Sequence, residues 1–167
     1  MYRKAYKTLL KWKDEEKGKC AIMIDGARRV GKSFLAQEFA KNEYESYILI
    51  DFFSAPDEIK ELFEKYLSDL DTLFMHLSAY YSVKLHERNT LFIFDEVQFF
   101  PRARAAIKYL VADGRYDFIE TGSLLSIKKN TQDILIPSEE HSLNPQRRSR
   151  SDWRNLCLRE RSERHKL

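Results

Sequence analysis

The stretch DGARRVGKSF, residues 25–34, sets two glycines five positions apart, Gly26 and Gly31, and follows the second with Lys32 and Ser33. It satisfies the spacing G-x-x-x-x-G-K-[ST]. An apolar run, CAIMID (20–25), precedes it, and an apolar-periodic segment, SFLAQEFA (33–40), follows it, as for a strand, a tight turn and a helix. Glycines let the backbone turn tightly enough for successive N–H groups, with the N-terminus of the following helix, to surround phosphate oxygens. The candidate ligand-binding residues are Gly26, Ala27, Arg28, Arg29, Val30, Gly31, Lys32, Ser33 and Phe34. Lys32 is expected to neutralise the β- and γ-phosphates of a nucleotide, and Ser33 to set its hydroxyl on Mg2+. Arg28 and Arg29 suit solvated positions as well as phosphate or a partner.

A second stretch, LFIFDEVQ (91–98), ends a buried apolar run on two carboxylates. Carboxylates at the carboxyl end of a parallel strand lie in the crevice where open α/β sheets bind ligands. Asp95 is expected to support the metal, and Glu96 to accept a proton from the attacking water. A third element, Thr121-Gly122-Ser123, ends the run FIE; Thr121 would reach the γ-phosphate or the water if its strand lies between the first and third. Without a second glycine, Gly122-Ser123 is no nucleophile elbow. Asp51 divides between facing the crevice and capping the next turn. His76, His86 and His141 share no metal-ligand spacing and read as surface or packing residues. Arg102 and Arg104 are weak candidates for charge-stabilising fingers toward a neighbouring subunit.

The rest of the chain alternates helix and strand. Residues 2–12 read as a short amphipathic helix, and YILIDF (47–52), LFIF (91–94) and YDFIETG (116–122) read as strands. PDEIKELFEKYLSDL (56–70) carries apolar residues at helical spacing from Ile59 to Leu70, with Ser54 and Asp57 as a capping pair. A second helix follows through LFMHLSAYY, and another opens at Pro101 and stops at Gly114. This order predicts β-α-β crossovers and an α/β fold, a parallel sheet with helices on both faces.

At 167 residues, 43% apolar and 13% aromatic, the chain can build one sizeable core. It has no apolar run long enough for a bilayer span, and MYRKAYKTLLKWK lacks a signal peptide's apolar centre, so a cytoplasmic location is expected. Cys20 and Cys157 form neither a disulfide framework nor a zinc spacing. Residues 147–167 carry a balance of +5 within a net charge of +3, so the body is not basic. Beyond Asn144 the sequence loses its period and gains arginine, which reads as a disordered or non-native tail over 144–167. Arginine density of this kind attracts nucleic-acid phosphates without sequence preference, the weakest of the readings.

Together GARRVGKS, YILIDF, LFIFDEVQ, AIKYLVADGRYD and IETGSLLSIKKN resemble the AAA-type P-loop ATPase domain of a large prokaryotic family of ATP-binding proteins, over residues 2–143. The resemblance implies a P-loop nucleoside triphosphatase fold with an additional strand between the P-loop and acidic strands. It also implies that Gly26 to Ser33 bind ATP and Mg2+, that Asp95 supports the metal, that Glu96 activates water and that Thr121 is a sensor. Similar members continue past SEEH into an apolar, acidic segment and a further domain, so the expectation here is a domain over 1–143 truncated at its C-terminal end, as after a frameshift. ATP hydrolysis, in a homo-oligomer or with a partner protein, is the leading expectation. A nucleotide-binding module with little turnover is the alternative, and a small-molecule kinase is disfavoured by Glu96 beside Asp95.

Overall fold

A computed structural model of the chain describes residues 2–27, 29–123 and 140–143. Helix α1 (Tyr2–Glu16) leads into strand β1 (Ala21–Asp25), then α2 (Lys32–Glu43), β2 (Ser46–Asp51), α3 (Asp57–Lys65) and α4 (Leu70–Tyr81). Strand β3 (Thr90–Asp95), a 3₁₀ turn (Val97–Phe99), α5 (Pro101–Asp113), β4 (Asp117–Gly122) and β5 (Glu140–Leu143) complete the order. The sheet runs β2-β3-β4-β1-β5 with every pairing parallel, so β4 lies between β1 and β3. The α/β expectation holds, including the additional strand.

Side-chain alternation along the strands builds two separate cores. In β3, Leu91 and Ile93 join Ile22, Ile24 and Ile119 under α1 and α2, where Leu9, Trp12, Leu35 and Phe39 are buried. Phe92 and Phe94 point the opposite way and join Met23, Ile48, Ile50 and Phe118 under α3, α4 and α5. A strand apolar at every position is what a sheet covered on both faces requires. Phe92 lies at the centre of an aromatic group, with ring centroids 5.4 Å from Phe74, Tyr116 and Phe118. Helix α1 runs farther than residues 2–12 and is tied down by Trp12, whose indole N–H donates to the Cys20 carbonyl at 2.9 Å.

Two local expectations are corrected. The helical pattern of residues 56–70 is interrupted after Lys65, because the Asp69 carboxylate accepts the Thr72 amide at 3.2 Å and its hydroxyl at 2.6 Å and so starts α4 as an N-cap. Ser54 and Asp57 form no capping pair. The Ser54 hydroxyl donates to Asp51 Oδ2 at 2.7 Å instead, and Pro56 occupies the cap position of α3. At α5, Pro101 in the first turn and Gly114 as the left-handed cap (φ 76°) match the sequence signals. Strand β5 was not anticipated. The expected tail over 144–167, with Cys157, lies outside the described residues, as does the His141 side chain, so the boundary expected at 143 is not tested.

At the amino ends of the strands, buried Asp117 accepts the Tyr44 hydroxyl at 2.6 Å and the Arg88 guanidinium at 2.8 Å. Burial, and then the Asp117 charge, push the Tyr44 phenol far above the usual tyrosine range. The folded chain therefore keeps a proton that the unfolded chain loses near pH 10, so this contribution to stability is full below about pH 10 and declines as pH rises beyond it. Urea titrations at about pH 8 and pH 11 should show a smaller decline for Tyr44→Phe than for the wild type. Phe92→Ala should lower the unfolding free energy by about 3–5 kcal/mol in the same assay, through the cavity it opens.

Candidate functional site

Between β1 and α2 the chain makes the turn that the glycine spacing predicts. Gly31 has φ 81° and ψ 25°, a left-handed conformation that costs a residue with a Cβ roughly 1–2 kcal/mol, and no side chain caps the helix it opens. Gly26, with φ 152°, lies in the same positive half of backbone space. The loop therefore presents backbone rather than side chain at the start of α2, the arrangement that receives anions. Lys32, only 5% exposed, folds its ammonium back across the loop onto the Ala27 carbonyl at 2.8 Å and the Gly26 carbonyl at 3.4 Å. Its charge is thus held over the concave side of the turn.

The sheet brings the second and third motifs to the same place. Phe94 is in register with Glu120 across β3 and β4, and Ile24 with Thr121 across β1 and β4, so Asp95 and Thr121 end side by side next to the loop. By strand alternation both face the α1–α2 layer, where α2 begins. There the Ser33 hydroxyl donates to Asp95 Oδ1 at 2.7 Å, and the Thr121 hydroxyl donates to the same oxygen. The Glu96 amide donates to Thr121 Oγ1 at 3.3 Å. Ser33 and Thr121 therefore meet at one Asp95 oxygen, and Glu96 is tied to the group through its backbone amide.

Glu96 itself takes a left-handed conformation (φ 53°) that opens the 3₁₀ turn, and its carboxylate accepts the side-chain amide of Gln98. Gln98 was not among the sequence candidates, although it stands in the quoted stretch two positions beyond Glu96. Of the other loop residues, Arg29, Val30 and Phe34 are exposed, Phe34 by 61%, and Arg28 lies outside the described residues. Asp51 faces its own turn: Oδ1 accepts the Phe53 amide at 3.0 Å and Oδ2 the Ser54 hydroxyl, which is the capping alternative. Arg104 is buried beside Glu120 at 3.8 Å, and Arg102 pairs with Glu64 at 3.3 Å. A buried arginine cannot reach out as a finger. His76 stacks on Tyr66 and His86 lies 3.4 Å from Glu45, so both are packing and surface residues as expected.

The glycine loop between β1 and α2, the parallel sheet and the intervening strand define a P-loop nucleoside triphosphatase fold. Residues 18–141, well over half the chain, match the family described as AAA domain, and the chain belongs to that family of nucleotide-binding ATPases. No curated protein matches it. Among solved structures it is similar to a chain of "Structure of Drosophila ORC bound to AT-rich DNA and Cdc6", with a TM-score of 0.53 and 13% identity. That alignment covers 99% of this chain and 63% of the other, so this chain spans under two thirds of the length of the protein it matches. At that identity the likeness is one of fold. Among the described residues no helix is long and apolar enough to cross a membrane, and no three His, Cys, Asp or Glu side chains cluster to hold a metal.

The doubly bonded Thr121 hydroxyl should be worth more than its size suggests. Thr121→Val keeps the shape but removes a donor from Asp95 and an acceptor from the Glu96 amide. Denaturant unfolding should register a loss of about 1–3 kcal/mol.

Proposed function

We propose that the chain binds ATP with Mg2+ at residues 26–34 and hydrolyses it. The observation that carries this reading is the meeting of Ser33, Asp95 and Thr121 at one carboxylate oxygen beside the loop, with Glu96 next in sequence. On this reading the ATP-binding domain spans residues 1–143, with residues 144–167 as a separate tail, in a cytoplasmic protein that works as a homo-oligomer or with a partner protein.

The donor set suits Mg2+. A hydroxyl and a carboxylate 2.7 Å apart offer two hard oxygens, and this cation characteristically takes one or two protein oxygens while keeping several waters. When bound, Mg2+ supplies charge neutralisation on the phosphate oxygens. The backbone N–H groups of the loop and the first turn of α2 hold the phosphates, and the Lys32 ammonium exchanges its two carbonyls for phosphate oxygens. Asp95 and Ser33 fix the position of the cation, Thr121 orients the γ-phosphate or the water, and Glu96 accepts the proton of the attacking water. The chemistry then rests on positioning and charge stabilisation, with no covalent intermediate.

Two variants test the assignment. Lys32→Ala should weaken ATP binding by about 100-fold in calorimetry, the order expected for losing charge-assisted hydrogen bonds to phosphate. Glu96→Gln should bind ATP as the wild type does while its turnover falls by about 10²–10⁴, the usual contribution of a general base. Undiminished turnover in Glu96→Gln would remove Glu96 from the mechanism. Tight binding with no single-turnover hydrolysis in the wild type would leave a nucleotide-binding module.

A further inference from the structure

Strand β3 does not simply run on into α5. At Glu96 the backbone swings into the left-handed region (φ 53°, ψ 47°), which few residues with a Cβ adopt unless the surroundings hold them there. What holds this turn is visible on both sides. Val97 is 1% exposed and packs into the core under α3–α5, while the Phe99 amide returns to the Glu96 carbonyl at 3.1 Å and the Phe100 amide to the Val97 carbonyl at 3.1 Å. The backbone of Glu96 is therefore fixed from below by Thr121 and from beyond by the core. Its side chain, with three rotatable bonds, is not fixed by either.

Gln98 supplies the missing constraint. It is 4% exposed in the middle of the 3₁₀ turn, and its Nε2 donates to Glu96 Oε2. A buried amide keeps its rotamer through packing, so this donor is set in place before any ligand arrives. A carboxylate has about four acceptor positions. Engaging Oε2 leaves Oε1 able to receive a hydrogen bond from water. The amide is neutral and exchanges no proton, so it aims the carboxylate without competing for the proton that Glu96 is to accept.

We propose that Gln98 is the positioning residue for Glu96, holding its carboxylate in one orientation at the carboxyl end of β3 so that a water molecule there is met in a productive geometry. This inference rests on the reading of Glu96 given under Proposed function and adds to it a residue that acts through the Glu96 carboxylate. A purely structural glutamine, present only to satisfy its own amide, would affect folding and nucleotide binding instead of the chemical step.

The test compares Gln98→Met, which keeps volume but removes the donor, with Gln98→Glu, which replaces the donor by a second carboxylate, in ATP turnover, ATP affinity by calorimetry and thermal melting. Both should lower kcat by about 10–100-fold, the order expected for a small misplacement of a catalytic group, with ATP affinity within about twofold of wild type. In a Glu96→Gln background Gln98→Met should cause no further loss, because the two residues act as one unit. Wild-type kcat in Gln98→Met, or a loss that multiplies with that of Glu96→Gln, overturns the proposal. If Gln98→Met does not fold, Gln98→Asn, which retains the amide but falls one methylene short, must show the same kcat loss. The two layers fail separately: normal turnover in Glu96→Gln defeats the assignment of the base, whereas a dead Glu96→Gln beside an unimpaired Gln98→Met defeats only the role of Gln98.

Discussion

One oxygen atom joins the parts of this molecule that chemistry needs together. Asp95 Oδ1 receives the hydroxyl of Ser33, from the first turn of α2, and that of Thr121, from the end of β4. Asp95 itself ends β3, so three elements remote in sequence are pinned at one point on the sheet's carboxyl rim. A carboxylate that is 9% exposed is costly unless it is well bonded, and two donors at the same oxygen provide that compensation. The sheet order makes the meeting possible. Only because β4 lies between β1 and β3 does Thr121 stand between the loop and the acidic strand end.

The opposite end of the sheet is built for a different purpose. There Asp117 joins Tyr44 and Arg88. Aromatic packing around Phe92 covers one face and the α1–α2 layer the other, so the rim that carries Asp95, Glu96 and Thr121 stands on a sheet packed on both sides. The positive-φ residues Gly31 and Glu96 are both found on that rim. Gly31 takes this conformation freely, whereas at Glu96 it is strained and is maintained because the surrounding packing overdetermines it.

Much of this was legible in the sequence because the signals were local. The glycine spacing reported its own turn, β-strand runs such as LFIF reported a doubly covered sheet, and Pro101 and Gly114 marked α5 at both ends. Thr121 was legible conditionally, on a strand order that residue pattern cannot supply. The failures share a cause, competition between neighbouring polar side chains for the same backbone and side-chain partners. Ser54 turned back to Asp51, and Asp69 broke a periodic helix by capping its continuation. Strand β5 has a single apolar residue, Leu143, in four, and its existence depends on the exposed edge of β1. Gln98 escaped notice because a glutamine in a turn carries no signature until its amide is seen against Glu96.

The central claim, that this rim is a site for Mg2+-dependent cleavage of ATP, is met most directly by single-turnover phosphate release from ATP held by the purified protein, followed with and without Mg2+. The account predicts release that requires Mg2+ and disappears when Lys32 is replaced by alanine. ATP bound equally well without Mg2+, and never cleaved when Mg2+ is supplied, would contradict it.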